Sequence, residues 1–248
     1  MYKEFFIVEE LVKVTLIGLC FGTFGTTLGG IIGIGFKNTS KKFLSFILAL
    51  ASGLMMSIVC FDLIPESLEI TNIINTLLGI VVGVITMIFC NFFVEKKLKS
   101  KENTMLKTGI IVSLGLAIHN FPEGLAIGSG MEASFKLGIN LALAICLHDI
   151  PEGISMAIPM KVGGISKIRI IVYIVLAGIT TGIGALVGAI IGKVSEGVIG
   201  VCLSFAAGAM LYIVSGELIP EANTLYKGKW TSVGNILGIL LGFIASLK

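Results

Sequence analysis

Eight largely apolar runs, seven of more than 20 residues and the last of 17, each long enough to cross the hydrocarbon core as a helix, constrain this chain more than any other feature. They fall at roughly 14–35, 43–69, 73–94, 105–130, 137–160, 168–192, 196–223 and 231–247. In lipid every backbone polar group must be satisfied within the chain, so the runs predict an all-α, polytopic membrane protein. Several exceed the bilayer thickness and must tilt or project beyond it. A content of 55% hydrophobic and 13% charged residues, with mean hydropathy +1.02, agrees with that class. The 32 glycines suit helices whose backbones pack closely. A net charge of +3 is too slight to suggest nucleic acid. The five cysteines, Cys20, Cys60, Cys90, Cys146 and Cys202, sit inside apolar runs and read as small packing residues. The stretch "MYKEFFIVEELVK" mixes acids with bases, unlike a cleaved signal, so the first helix is expected to be retained. No soluble domain or long linker remains, and residues 1–248 read as one transmembrane domain.

Basic residues give the orientation. Thirteen of the eighteen follow the first, third, fifth and seventh runs: Lys37, Lys41, Lys42, Lys96, Lys97, Lys99, Lys101, Lys107, Lys161, Lys167, Arg169, Lys227 and Lys229. The other side holds Lys3, Lys13, Lys136, Lys193 and Lys248, so the positive-inside rule places both termini outside the cytoplasm of a cytoplasmic (inner) membrane.

An internal repeat is also legible. "ASGLMMSIVCFDLIPES" (Ala51–Ser67) and "AAGAMLYIVSGELIPEA" (Ala206–Ala222) share nine of seventeen positions. The second run crosses inside to outside and the seventh outside to inside, so the copies are expected to be inverted, as in many secondary transporters with a site near the midplane. Outer triplets of about 14–94 and 168–247 then flank a central pair at about 105–160.

Four of the five prolines share one pattern, a metal-capable side chain followed at i+4 by the glutamate of a Pro-Glu pair. The copies run from Asp62 to Glu66, His119 to Glu123, His148 to Glu152, and Glu217 to Glu221. Residues at i and i+4 share a helix face with Cβ atoms about 6 Å apart, so each pair can point at one spot. Pro122 and Pro151 offer no N–H to the carbonyls of Ile118 and Leu147, which kinks the helix there. A carboxylate near the bilayer centre costs roughly 2.5–3.5 kcal/mol, so intramembrane acids line a polar path or bind something. "HNFPEG" and "HDIPEG" bring His119, Asn120, Glu123, His148, Asp149 and Glu152 to two consecutive helices and use both of the chain's histidines. Three neighbouring carboxylates repel one another, and a divalent cation relieves that repulsion. Mixed imidazole and carboxylate donors suit Zn²⁺ first, and also Fe²⁺, Mn²⁺, Co²⁺ or Cd²⁺, whereas Mg²⁺ and Ca²⁺ prefer all-oxygen sites. Asp62 and Glu66 toward the outer face, and Glu217 and Glu221 toward the cytoplasmic face, suit way-stations for an ion arriving and leaving. Met55 and Met210 occupy matching repeat positions and read as core packing or soft contacts on that path.

Those residues resemble the ZIP (Zrt/Irt-like protein) family of divalent metal transporters, prokaryotic type, over essentially the whole chain. The resemblance implies eight spans in a 3+2+3 arrangement, extracytoplasmic termini, a homodimer, metal uptake toward the cytoplasm and an elevator-like movement of the central helices. It also implies that His119, Asn120, Glu123, His148, Asp149 and Glu152 form a two-site metal centre. In many prokaryotic relatives a glutamate of the sixth span bridges to the second metal. Here "LAGITTGIGA" puts Thr181 there, which removes that ligand, while Asp149 adds a charge where asparagine is frequent. The metal is cargo, with no resident cofactor implied.

Two other classes compete. An HExxH metalloprotease needs glutamate directly after the first histidine and a second histidine at i+4; Asn120 or Asp149 and then a glutamate stand there instead, and no GxSxG occurs. Catalysis is therefore not expected. A proton- or cation-coupled transporter of another solute would use the same acids as relays and the histidines as titrating groups.

Overall fold

The computed structural model describes residues 2–36, 40–98 and 105–247, with side chains described for 8–36, 40–93 and 114–247. Lys37, Lys99, Lys101 and Lys248 of the orientation argument lie outside the described residues, as do the side chains of Lys3, Lys96, Lys97 and Lys107. All regular structure among the described residues is helical: α1 (Tyr2–Gly35), α2 (Lys41–Ile58), α3 (Ile64–Ile70), α4 (Ile73–Leu98), α5 (Met105–Ala133), α6 (Phe135–Val162), α7 (Lys167–Gly192), α8 (Glu196–Ile213), α9 (Ile219–Leu225) and α10 (Lys229–Ser246). A π turn joins α2 to α3 at Val59–Leu63 and α8 to α9 at Val214–Leu218, so each of those pairs forms one continuous rod. Seven described segments are long and apolar enough to span a membrane, and α5 supplies the remaining helix at the fourth run. Ser40, Ser134 and Ser195 cap α2, α6 and α8 by accepting the third N–H of each helix, a signal legible in the sequence.

The helices sort into two packed groups. In one, α1 lies against α6 and α7, and α5 against α7 and α6. In the other, α2 packs on α10 and α4 on α8, and the groups meet mainly where α5 touches α8 and α6 touches α2. Polar contacts strengthen each group internally: Asn120 and Thr180 tie α5 to α7, while Ser45, Ser67 and Asn235 tie the helices of the second group together.

Equivalent helices recur 155 residues apart. The bounds 41–58, 59–63 and 64–70 return as 196–213, 214–218 and 219–225. Close approaches recur with them: Gly53 faces the Asn235 carbonyl and Gly208 that of Ile80, while Gly83 faces the Phe205 carbonyl and Gly238 that of Leu50. One polar knot is copied with its donor moved. Ser45 donates to the Ala222 carbonyl at 2.8 Å and meets Thr231 at 2.8 Å. Ser67, the counterpart of Ala222, donates to the Gly200 carbonyl at 2.8 Å and meets Thr76 at 3.0 Å.

A lysine clasps the first group at one end. Lys193 Nζ donates to Glu10 on α1 at 2.6 Å and lies 3.1 Å from Glu132 at the end of α5. Burial lowers the pKa of its ammonium, but the hydrogen bonds and charges of Glu10 and Glu132 outweigh burial and leave it above the ordinary value. Stability from such a raised pKa is fully present below the ordinary lysine value of about 10.5 and is lost as pH rises through the folded one. Glu10 is mostly exposed, so solvent screening keeps the contribution at or below about 1 kcal/mol. Thermal melts of Lys193→Met should therefore sit about 2–4 °C below wild type at pH 7, with the gap closing above pH 10.5. A gap independent of pH would show that the lysine acts through packing.

Candidate metal centre

The two His-x-x-Pro-Glu copies fall at the middle of α5 and α6, and both helices run unbroken through Pro122 and Pro151. The carboxylate copies differ. Ahead of Pro65 and Pro220 the chain widens into the π turns, with Ile64 N–H bonding to Val59 and Ile219 N–H to Val214. Proline removes a donor in all four places, and only the second group answers with a shifted register.

The pairs on α5 and α6 cross. His119 Nε2 lies 3.4 Å from Glu152 Oε1, and His148 Nε2 lies 3.0 Å from Glu123 Oε1. Each helix thus presents an imidazole to the other's carboxylate. His148 Nε2 is also 3.4 Å from Asp149 Oδ1. Glycines allow the close approach of the supporting helices: a Cβ at Gly124 would overlap the Thr181 carbonyl of α7, and one at Gly153 the Thr26 carbonyl of α1.

All six side chains are buried, with Asn120, Glu123, His148 and Asp149 fully inaccessible. Glu123, His148, Asp149 and Glu152 each offer a donor atom, and these atoms lie within 4.8 Å of one another. Zinc donors stand about 2.0–2.2 Å from the ion, so those of a tetrahedral site are roughly 3.4 Å apart, and small side-chain rotations close the set. His119 reaches it through Glu152.

Hydrogen-bond accounting points the same way. Ten buried side-chain polar atoms make no hydrogen bond among the described residues, and eight belong here: His119 Nε2, Asn120 Oδ1, Glu123 Oε2, His148 Nδ1, both Asp149 oxygens, Glu152 Oε2 and Thr181 Oγ1, of which His119 Nε2 and Asp149 Oδ1 have an ion-pair contact at 3.4 Å. Such atoms cost about 1–3 kcal/mol each when left unmade, more if charged, so their concentration marks a place built to receive something. A divalent cation placed here would have the free oxygens as ligands and would offset the mutual repulsion of Glu123, Asp149 and Glu152.

The Asn120 side is less crowded with charge. Asn120 donates to the Ala177 carbonyl at 3.3 Å, one turn before Thr181 on α7. Thr181 is fully buried against Gly22 of α1 and offers only a hydroxyl.

The remaining sequence candidates are spread out. Asp62 and Glu217 lie on the two π turns, each half-buried, with Glu66 half-buried and Glu221 exposed in α3 and α9. The Glu217 carboxylate lies near enough to Glu152 for the two like charges to repel. Met55 and Met210 are fully buried in the main hydrophobic cluster. Sequence reasoning passed over Asn91, whose amide donates to Glu217 Oε1 at 2.8 Å; a lone amide in the apolar "FCNFF" was the available signal.

A profile described as the ZIP zinc transporter family matches residues 94–247, which contain the whole centre. The zinc transporter ZIP11 of Bos taurus is 37% identical over 138 residues, covering 53% of this chain and 40% of its own length. ZIP11 of Homo sapiens is 36% identical with the same coverage. The zinc transporter ZupT of Enterobacter sp. (strain 638) is 28% identical over 113 residues, or 41% of this chain and 44% of its own. The matched region thus spans less than half the length of these relatives.

Proposed function

The chain belongs to the ZIP zinc transporter family, and from that premise we propose that it carries divalent transition-metal ions across the cytoplasmic membrane into the cytoplasm, with Zn²⁺ as the first cargo. His119, Glu123, His148, Asp149 and Glu152 replace the ion's water shell midway, and Asn120 stands on the adjoining side. One observation carries this reading: eight buried polar atoms without a hydrogen bond among the described residues gather around two crossed His–Glu pairs. With the ion bound, each carboxylate oxygen gains a positive partner, and the cost of burying three acids in a membrane is offset.

In this reading residues 1–248 form one transporter domain in a 3+2+3 arrangement with inverted outer triplets and extracytoplasmic termini, working as a homodimer and without catalytic chemistry. The recurrence of helix bounds and glycine contacts at a spacing of 155 residues supports the repeat. The lysine distribution supports the orientation. Asp62 and Glu66 receive the hydrated ion, and Glu217 and Glu221 pass it to the cytoplasm.

Purified protein in liposomes loaded with a metal-sensitive dye, offered Zn²⁺, Fe²⁺, Mn²⁺, Co²⁺ and Cd²⁺ in turn, tests the proposal. Zinc influx is expected, falling to the protein-free background in His119→Ala/His148→Ala. No flux of any metal, or full flux in the double variant, sinks it; flux of protons or alkali cations alone would favour the organic-solute reading.

A further inference from the structure

We infer that the paired starts of α2 and α10 form a binding site for one anionic glycerophospholipid. A pocket of about 310 Å³ opens there, lined by Ser40, Lys42, Phe43, Phe46 and Trp230. Its lining divides by chemistry. The Lys42 ammonium stands over the Trp230 ring, 4.4 Å from the centroid, and Ser40 lies beside it on the pocket wall. The other three side chains are aromatic, with Phe46 meeting Trp230 edge-on at a centroid distance of 6.4 Å. Trp230 is 47% exposed, a large apolar ring left open at the end of a membrane-spanning helix.

Charge selects the occupant. Lys41, Lys42, Lys227 and Lys229 are all exposed around the two helix starts. Among the described residues none of the four makes an ion pair, and the acid nearest to them in sequence is Glu221 of α9. A second copy of the chain would present the same positive face and be repelled. A soluble anion would satisfy the lysines and leave Phe43, Phe46 and Trp230 against water. An anionic lipid meets both demands: its phosphate sits among the ammonium groups and the Ser40 hydroxyl, and its acyl chain lies along the aromatic slot. By the positive-inside rule this end faces the cytoplasmic leaflet, where basic residues at a span's edge gain about 1 kcal/mol each from anionic lipid.

Trp230 is the sole tryptophan of the chain, so its fluorescence reports on the pocket directly. The protein is reconstituted in phosphatidylcholine vesicles containing a minor fraction of phosphatidylglycerol or phosphatidylcholine with brominated tails, and quenching is compared. Brominated phosphatidylglycerol should quench at least about fivefold more effectively, one lysine's contribution, and Lys41→Ala/Lys42→Ala/Lys227→Ala/Lys229→Ala should bring the preference below about twofold. Lys136→Ala, at the other membrane face by its sequence position, should keep it, as should excess glycerol phosphate in the buffer. Equal quenching by the two lipids in the native protein overturns the proposal, as does a preference that survives loss of all four lysines. Loss of the preference in Lys136→Ala would assign it to net charge, and its loss to glycerol phosphate would assign the site to free anions; either result overturns it. None of these readings depends on metal flux.

Discussion

Replacing Glu123 by glutamine is expected to weaken zinc binding by at least about 100-fold, the upper end of what even an outer partner of a metal site contributes, while the metal-free protein becomes more stable. Both effects have one cause. Glu123 is fully buried, accepts from His148 through Oε1 and has no hydrogen-bond partner at Oε2 among the described residues. Glutamine keeps the shape and the hydrogen bond to His148 but loses the charge that a cation needs. The same change removes one of three mutually repelling carboxylates, so the apo protein should melt about 2–4 °C higher, the shift produced by 1 kcal/mol in a chain of this length. Zinc titration by competition with a chelating dye gives the first quantity and a thermal melt in chelator the second. Affinity retained within tenfold together with a lower melting temperature would show that Glu123 is structural.

Gly124→Ala should destabilise the protein more than any conservative change on α5 away from the ligands. A Cβ there overlaps the Thr181 carbonyl, Gly128 meets the Ala185 carbonyl, and Gly184 and Gly188 of α7 meet those of Phe121 and Leu125. Backbone cannot rotate away as a side chain can, so the helices must separate. Overpacking of this kind costs about 1–3 kcal/mol, and the upper figure corresponds to roughly 6–12 °C in melting temperature. Separation also carries Glu123 away from His148, so zinc affinity should fall with stability. Gly115→Ala is the internal control: nothing among the described residues lies within 4 Å of its added Cβ, and alanine there should be neutral or stabilising by about 1 kcal/mol through helix propensity. Equal melting temperatures for the two variants would mean that α5 and α7 do not depend on this contact.

Much of the centre is legible in one dimension because the ligands are local in sequence. His119 with Glu123, and His148 with Glu152, are set by helical periodicity alone, and the high cost of burying them idle singles them out as the candidate site. The eight spans are legible for the same kind of reason, since bilayer thickness sets a length and lipid excludes polar residues. The repeat showed through nine shared letters, yet those letters could not reveal that Pro65 and Pro220 follow π turns while Pro122 and Pro151 sit in continuous α-helix. Each motif offers the same missing N–H, and the neighbours packed around it decide how the backbone responds. Asn91 escaped notice because its partner, Glu217, is 126 residues away.

The sequence by itself determined that this chain has helices long and apolar enough to span a membrane, and it set the expectation that two histidines, three acids and an amide lie together within it. Periodicity and the price of desolvation act residue by residue, so both conclusions survive without coordinates. Only the tertiary structure decided who pairs with whom: His119 with Glu152 and His148 with Glu123, rather than each histidine with the glutamate of its own helix. It likewise decided that four donors converge within 4.8 Å while Asn120 and Thr181 stand to one side. The crossing of two helices depends on glycines and carbonyls far apart in the chain, and no local pattern encodes that contact.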